Sequence, residues 1–145
     1  MPNFPAEPRI LLVKTSSMGD VIHNLPVASD LLARFPGAAI DWAVEESFAD
    51  IPRLHPGVRD ILPVALRRWK KRFLSPATWR EIRETRANFA AREYDAVLDT
   101  QGLLKSAWTA RQAKGKKIGF AADSAREPLA ACAYDIRLTV PKSLH

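Results

Sequence analysis

The segment from Lys14 to Asp20 combines small polar side chains, a glycine and a carboxylate directly after an apolar run. This order is expected where a buried strand turns into a helix, and α/β proteins bind their ligands at such turns. Ser16 or Ser17 can cap the N–H groups that begin the helix, and Gly19 permits close approach of backbone or ligand. Asp20 falls near the first helical turn, where the helix dipole favours a carboxylate by about 0.3 to 1 kcal/mol. The same residues also describe a capped helix start without a ligand, because acidic residues are common in first turns.

A second candidate is the basic and aromatic run that continues from Arg67 to Phe73, with five cations in its first six residues. Charge runs are usually solvated faces, but this one follows a predicted strand on the sheet edge where ligands bind. As an extended loop it suits several phosphates or carboxylates, which arginine binds through two parallel hydrogen bonds. Trp69 and Phe73 can pack on the core, stack on a base or lie at the level of lipid headgroups. The residues alone leave these alternatives open.

Two further candidates are predicted on the same edge. The residues Asp99 to Gly102 end the fourth predicted strand with polar groups and a glycine. This pattern is compatible both with a ligand site and with an ordinary turn between a strand and a helix. Arg126 precedes a predicted helix start, where it either pairs with Glu127 or helps to hold an anion.

Six apolar segments are predicted as strands, at 9–14, 39–44, 60–64, 94–100, 116–120 and 136–140. Helical patterns lie between them at 20–35, which Pro26 is expected to kink, and at 76–92, 103–113 and 127–134. The alternation predicts one α/β domain over residues 1–145, with a doubly wound, mostly parallel Rossmann-like sheet and helices on both faces. The glycines are too dispersed for either nucleotide-binding fingerprint, so NAD is not expected.

The amino-acid composition limits the classes of partner and the cellular location that we expect for this chain. A net charge of +6 suggests an anionic partner, which could be nucleic acid, a phosphorylated small molecule or an acidic membrane surface. No apolar run is long enough to span a bilayer, and the amino terminus lacks secretory features, so a cytoplasmic location is expected. Cys132 is expected to be a buried thiol, and the three histidines are too far apart for a zinc site. We expect no cofactor and no metal.

Several segments carry a family resemblance. The stretch 10–23, with its sequence Ile-Leu-Leu-Val-Lys-Thr-Ser-Ser-Met-Gly-Asp-Val-Ile-His, resembles the amino terminus of the lipopolysaccharide heptosyltransferases of glycosyltransferase family 9. Further matching stretches follow in the same order at 41–46, 67–71, 94–103 and 125–130. The likeness therefore extends over nearly all of the chain from Arg9.

The resemblance implies an inverting GT-B glycosyltransferase that moves heptose from ADP-heptose to Kdo on lipid A at the cytoplasmic face of the inner membrane. It implies that Asp20 is the general base for the acceptor hydroxyl. It also implies that Arg67, Arg68, Lys70, Lys71 and Arg126 face the anionic acceptor. The substrate-binding residues predicted with them are Lys14, Thr15, Ser16, Ser17, Met18, Gly19 and Gln101.

The sequence ends about where the family's amino-terminal domain finishes, so we expect an acceptor-binding half without the carboxy-terminal donor domain and with little activity alone. A basic Rossmann-like module that binds nucleic acid through Arg67 to Arg72, with Trp69 stacking on bases, is the alternative. We disfavour it, and expect no nucleic acid, because it leaves the carboxylate at the helix start unexplained. Attachment of the same basic run to anionic lipid is compatible with the enzyme.

Overall fold

The computed structural model describes residues 4–120 and 127–139, and its centre is a six-stranded parallel sheet. The strands are β1 (Arg9–Val13), β2 (Ala39–Glu45), β3 (Val58–Val64), β4 (Glu93–Asp99), β5 (Lys114–Phe120) and β6 (Ile136–Leu138). Their order across the sheet is β3-β2-β1-β4-β5-β6. The predicted α/β class and doubly wound parallel sheet are confirmed, with strand bounds shifted by no more than two residues among those described.

The helices are α1 (Met18–His23), α2 (Leu25–Arg34), α3 (Asp50–Arg53), α4 (Leu66–Lys71), α5 (Pro76–Ala90) and α6 (Leu104–Gln112). Two 3-10 helices span Glu46–Phe48 and Pro128–Ala133, the second where an α-helix was expected. The predicted helix 20–35 is two helices that meet at Asn24. Pro26 has no N–H to donate to the preceding turn, so α1 ends and α2 begins around it.

The expectation of an extended loop at 67–72 is wrong, because most of this run forms α4. Leu66 and Trp69 are three residues apart and therefore lie on one face of that helix. Trp69 is buried, Leu66 is partly buried, and both pack into the core. The core contacts of these two side chains account for a helix that the charge pattern alone does not predict.

Two apolar layers cover the sheet. Leu11 and Val13 of β1 face α4, α5 and α6, whereas Leu12 faces α1 and α2. This alternation follows from the two-residue period of a strand, and burial of each such side chain stabilises the fold by about 1.5 to 3 kcal/mol. With both faces covered, the ends of the strands are the part of the sheet that remains open to a ligand.

A cluster of charged side chains around the buried Asp41 joins β2, β3 and β4. Asp41 is fully buried and accepts hydrogen bonds from Arg59 Nε and Nη2 at 3.1 and 3.0 Å and from the Tyr94 hydroxyl at 2.7 Å. Arg92 lies 3.4 Å from Asp41 and 2.7 Å from Asp60. Burial, together with the bond to Asp41, raises the pKa of Tyr94. Asp41 is fully buried and holds side chains of three segments together, so we assign this cluster a structural role.

Cys132 is exposed, and the expectation of a buried thiol is wrong. It lies in the 3-10 helix Pro128–Ala133, where Ala130 and Ala131 take the buried positions. In a 3-10 helix each residue turns by about a third of a circle, so three consecutive side chains cannot all face the core. Within residues 4–120 and 127–139, no helix has the length and apolar character needed to cross a bilayer.

Candidate active site at the carboxyl edge of the sheet

The candidate site lies where β1 and β4 are neighbours. From β1 the chain passes to α1 and α2 on one face, and from β4 it passes to α6 on the other. The two loops therefore lead to opposite faces of the sheet, and the carboxyl ends of the strands between them are the usual ligand position in such sheets. The loops themselves are residues 14–17 and 100–103.

Direct hydrogen bonds join these two loops. Thr15 donates from both its backbone N, at 2.8 Å, and its hydroxyl, at 2.7 Å, to Gln101 Oε1. Lys14 Nζ donates to the Thr100 carbonyl at 3.1 Å, and Lys105 Nζ donates to Ser16 Oγ at 2.6 Å. The structure thus brings together predicted site residues that are 86 positions apart in the sequence.

Gln101 is buried, and its amide orientation is fixed by its partner. The backbone N of Thr15 can only donate, so the atom facing it must be the oxygen. The opposite atom, Gln101 Nε2, is a buried donor for which the described part of the chain offers no acceptor. A hydrogen-bonding group without a protein partner at this edge is consistent with the predicted role of Gln101 in binding.

Asp20 lies in the first turn of α1. Its Oδ2 accepts hydrogen bonds from Ser17 N at 3.3 Å and Ser17 Oγ at 3.1 Å. Met18 is exposed, and a side chain added at Gly19 would meet no atom within 4 Å. The Asp20 carboxylate is half-buried. The first turn of α1 therefore borders open space, as a site for a bulky substrate requires.

Asp99 has an internal role instead. It is buried and accepts hydrogen bonds from Gln101 N at 2.8 Å, Ser106 Oγ at 2.9 Å and the Tyr134 hydroxyl. Burial raises the pKa of Asp99 although these donors oppose the shift. The bond to Gln101 N, and a longer one to Gly102 N at 3.3 Å, hold the turn in which Gly102 adopts a φ of 72°. Glycine suits that left-handed conformation, so Asp99 shapes the loop that carries Gln101.

Helix α4 is tied to the same edge through Glu45, which we did not single out from the sequence. Glu45 N donates to the Thr15 carbonyl at 3.0 Å, and Glu45 Oε2 accepts from Leu66 N at 3.2 Å. Burial raises the pKa of this carboxyl, while hydrogen bonds from the backbone of Arg67 and Leu66 oppose the shift. The sequence feature that could have identified Glu45 is its position as a charged residue at the end of an apolar strand.

The cations of α4 differ in their surroundings. Arg67, Lys70 and Lys71 are exposed, whereas Arg68 binds Glu46 at 3.0 Å and also pairs with Glu81. These two carboxylates raise the pKa of Arg68 further above its usual value. Because Glu46 and Glu81 already neutralise Arg68, a bound anion would have to compete with these two carboxylates for its guanidinium group. Arg126 lies outside the described residues, so its predicted role stays a prediction.

Trp69 packs edge-on against Trp108, with ring centroids 6.5 Å apart, and only 5% of it is exposed. Of the alternatives left open by the sequence, core packing is therefore the one that the structure supports for Trp69. Phe73, by contrast, is exposed, and its carbonyl accepts a hydrogen bond from Trp79 Nε1 at 2.6 Å.

Comparison with known proteins shows which proteins this chain resembles in sequence and fold. The family model of glycosyltransferase family 9 (heptosyltransferase) matches residues 82–145. Lipopolysaccharide heptosyltransferase 1 of Pseudomonas aeruginosa is 50% identical over 127 residues, which are 87% of this chain and 36% of that protein. The enzyme of the same name from Escherichia coli K12 is 46% identical over 138 residues, 94% of this chain and 43% of that protein. The structure of E. coli heptosyltransferase WaaC with ADP-2-deoxy-2-fluoro heptose matches with a TM-score of 0.91 and 46% identity, covering 94% of this chain and 44% of that one.

The chain is therefore similar to members of glycosyltransferase family 9 over most of its own length. It spans less than half the length of the family relatives it matches. In this chain, one sheet edge carries a carboxylate at a helix start, two hydrogen-bonded loops and a basic helix. That combination has the charge to bind an anion and a carboxylate able to accept a proton.

Proposed function

We propose that this chain forms the acceptor-binding domain of a lipopolysaccharide heptosyltransferase, which transfers heptose from ADP-heptose to Kdo of Kdo-lipid A. The observation that carries the proposal is the position of Asp20 in the first turn of α1, which follows β1 at the same sheet edge where α4 follows β3. The relatives and the family support the reaction class. An enzyme of this class needs a base and an anion-binding surface on one side of its cleft.

In the proposed mechanism Asp20 is the general base. Its carboxylate takes the proton of the attacking Kdo hydroxyl while that oxygen forms a bond to the anomeric carbon of the heptose. The bond from that carbon to the ADP oxygen breaks on the opposite side, and ADP leaves with the electron pair, so the configuration inverts. The two bonds from Ser17 fix one carboxylate oxygen, and the base must come within about 2.6 to 3.2 Å of the hydroxyl.

The exposed cations of α4 are proposed to hold the acceptor. β3 and β1 are separated by β2 alone, and neighbouring strands lie about 4.8 Å apart, so α4 begins about 10 Å across the edge from β1. That spacing suits an acceptor whose sugar lies at Asp20 and whose carboxylate or phosphates reach Arg67, Lys70 and Lys71. Arg68, through Glu46 and Glu81, positions α4 rather than contacting the acceptor.

Titration calorimetry of the chain tests this assignment. We expect a soluble Kdo-containing lipid A analogue to bind, and K70A/K71A to weaken it about tenfold, since each exposed charge contact is worth up to about 1 kcal/mol. Arg80→Ala, an exposed arginine of α5, is the matched control and should change the affinity less than twofold. Binding of ADP without binding of the acceptor analogue would mean that this edge serves the donor instead.

Peripheral attachment to an anionic membrane is a second proposal, favoured by one specific observation. Phe73, Leu74 and Trp79 are 57%, 84% and 54% exposed and follow the basic helix directly. Apolar side chains beside exposed lysines match the boundary between acyl chains and anionic headgroups. The burial of Trp69 removes the stacking residue on which the nucleic-acid alternative depended.

Vesicle flotation tests the attachment. On vesicles of phosphatidylcholine with phosphatidylglycerol, Leu74→Ser should lower the bound fraction severalfold, because it removes one buried alkyl group from the bilayer. Leu54→Ser is the control, since Leu54 is 77% exposed and lies in another part of the surface. Equal loss in both variants would refute a specific membrane-binding surface at Phe73, Leu74 and Trp79.

A further inference from the structure

A cleft of about 330 Å³ lies between α5 and α6. Its lining contains three arginines and no carboxylate, and consists of Arg83, Arg86, Ala87, Ala90, Arg111 and Gln112. Each of these helices follows one parallel strand and precedes the next, so it runs from the carboxyl edge of the sheet back to the amino edge. The cleft involves the later residues of both helices and is therefore displaced from Asp20 toward the opposite edge.

The charges in this cleft are uncompensated. Within residues 4–120 and 127–139, no ion pair involves Arg83, Arg86 or Arg111. By contrast, the arginines that do pair with carboxylates in the same part of the chain are Arg53, Arg59, Arg68 and Arg92. Three guanidinium groups thus face one open volume, and no carboxylate of residues 4–120 and 127–139 forms an ion pair with them.

One of the three arginines is held in place by neutral groups. Arg86 Nε donates to Gln112 Oε1 at 2.9 Å, and Gln112 Nε2 donates to the Trp108 carbonyl at 2.8 Å. A carboxylate in the place of Gln112 would cancel the charge, whereas the amide orients the guanidinium and leaves its charge intact. Such fixed, charged donors lower the entropy cost of binding an anion.

We propose that this cleft binds the phosphate of a small phosphorylated molecule. Guanidinium groups match the geometry of phosphate oxygens and donate two parallel hydrogen bonds to them. The volume is in the range of small-molecule sites, and Ala87 and Ala90 leave room for an organic group beside the phosphate. A phospholipid headgroup carries the same chemistry, so the test must separate the two sources.

The test is a nuclear magnetic resonance titration of the ¹⁵N-labelled chain with ribose 5-phosphate, observing the arginine side-chain Nε–H signals. The signals of Arg83, Arg86 and Arg111, assigned by single substitution to Ala, should shift together. R83A/R86A should bind about tenfold more weakly, as expected from losing two exposed charge contacts. Alanine favours helix, so this double variant should retain the fold, which circular dichroism checks.

Arg80→Ala is the matched control on the same helix and should change the affinity less than twofold, because Arg80 does not line the cleft. Equal weakening by R80A, or shifts confined to α4, would overturn the proposal. So would binding to vesicles of phosphatidylcholine with phosphatidic acid without binding of ribose 5-phosphate. Because R83A/R86A leaves Asp20 and α4 untouched, unchanged binding of the acceptor analogue in this variant keeps the two proposals separable.

Discussion

Substitution of Gly119 by Ala should destabilise the chain strongly, although Gly119 is not one of the proposed substrate-binding residues. A Cβ at this buried position of β5 would overlap the Tyr134 ring and lie 2.5 Å from its Cδ2 atom. The ring must move, and its hydroxyl then leaves Asp99. The effect is steric, because Gly119 does not adopt the left-handed backbone that alanine resists.

The magnitude follows from three contributions. Forcing a methyl group into a packed site costs about 1 to 3 kcal/mol, and losing a hydrogen bond to a buried carboxylate costs about 1.5 to 3 kcal/mol. Alanine regains about 0.5 to 1 kcal/mol over glycine within a strand. The expected loss in the free energy of unfolding is therefore about 2 to 5 kcal/mol.

Urea unfolding followed by circular dichroism measures this loss. Tyr134→Phe removes the hydroxyl alone and should cost about 1.5 to 3 kcal/mol. Because both changes break the same bond to Asp99, the double variant should cost less than the sum of the single variants. A G119A variant within 0.5 kcal/mol of the wild type would show that Tyr134 does not hold Asp99 as described.

Three further predictions concern the carboxyl edge. Gly19→Ala should leave the free energy of unfolding unchanged or raise it by up to about 1 kcal/mol, since the added methyl group meets no atom. Under the proposed function the same variant should bind the acceptor analogue more weakly in calorimetry. Unchanged binding would speak against contact of the acceptor with α1. Glu45→Gln should change how stability depends on pH. Burial raises the folded-state pKa of Glu45 above its unfolded value of about 4.3, so its stabilising contribution is complete below that pH and is lost as pH rises through the folded pKa. In urea unfolding from pH 4 to 7 the variant should lose less stability than the wild type, and equal slopes would contradict the burial of that charge. Gln101→Leu should cost about 1 to 3 kcal/mol in urea unfolding because the backbone N of Thr15 loses its acceptor, and a neutral result would mean that the two loops are not joined through Gln101.

The sheet was predictable because each strand is a short apolar run between polar turns. In β1 the residues from Leu11 to Val13 are fully buried. Side chains on both faces of the strand are therefore apolar, and the strand appears in the sequence as a continuous apolar run. The cluster at Lys14 to Asp20 was recognisable for a related reason, since small polar residues directly after such a run mark the end of a strand.

The environment of the charged side chains was not predictable, because it depends on contacts between distant segments. Arg68 appeared to be one of five equivalent cations, yet Glu46 and Glu81, 22 and 13 positions away, neutralise it. Asp99 appeared to be a candidate at the edge, but Tyr134, 35 positions later, holds it inside. Local spacing carries no information about such pairs.

The central claim is that the acceptor binds across the edge from α1 to α4. Backbone amide shifts of the ¹⁵N-labelled chain, followed during titration with a soluble Kdo-containing lipid A analogue, test this most directly. The largest shifts should fall at residues 15–20 and 66–71. Saturable binding that leaves both segments unshifted would contradict it.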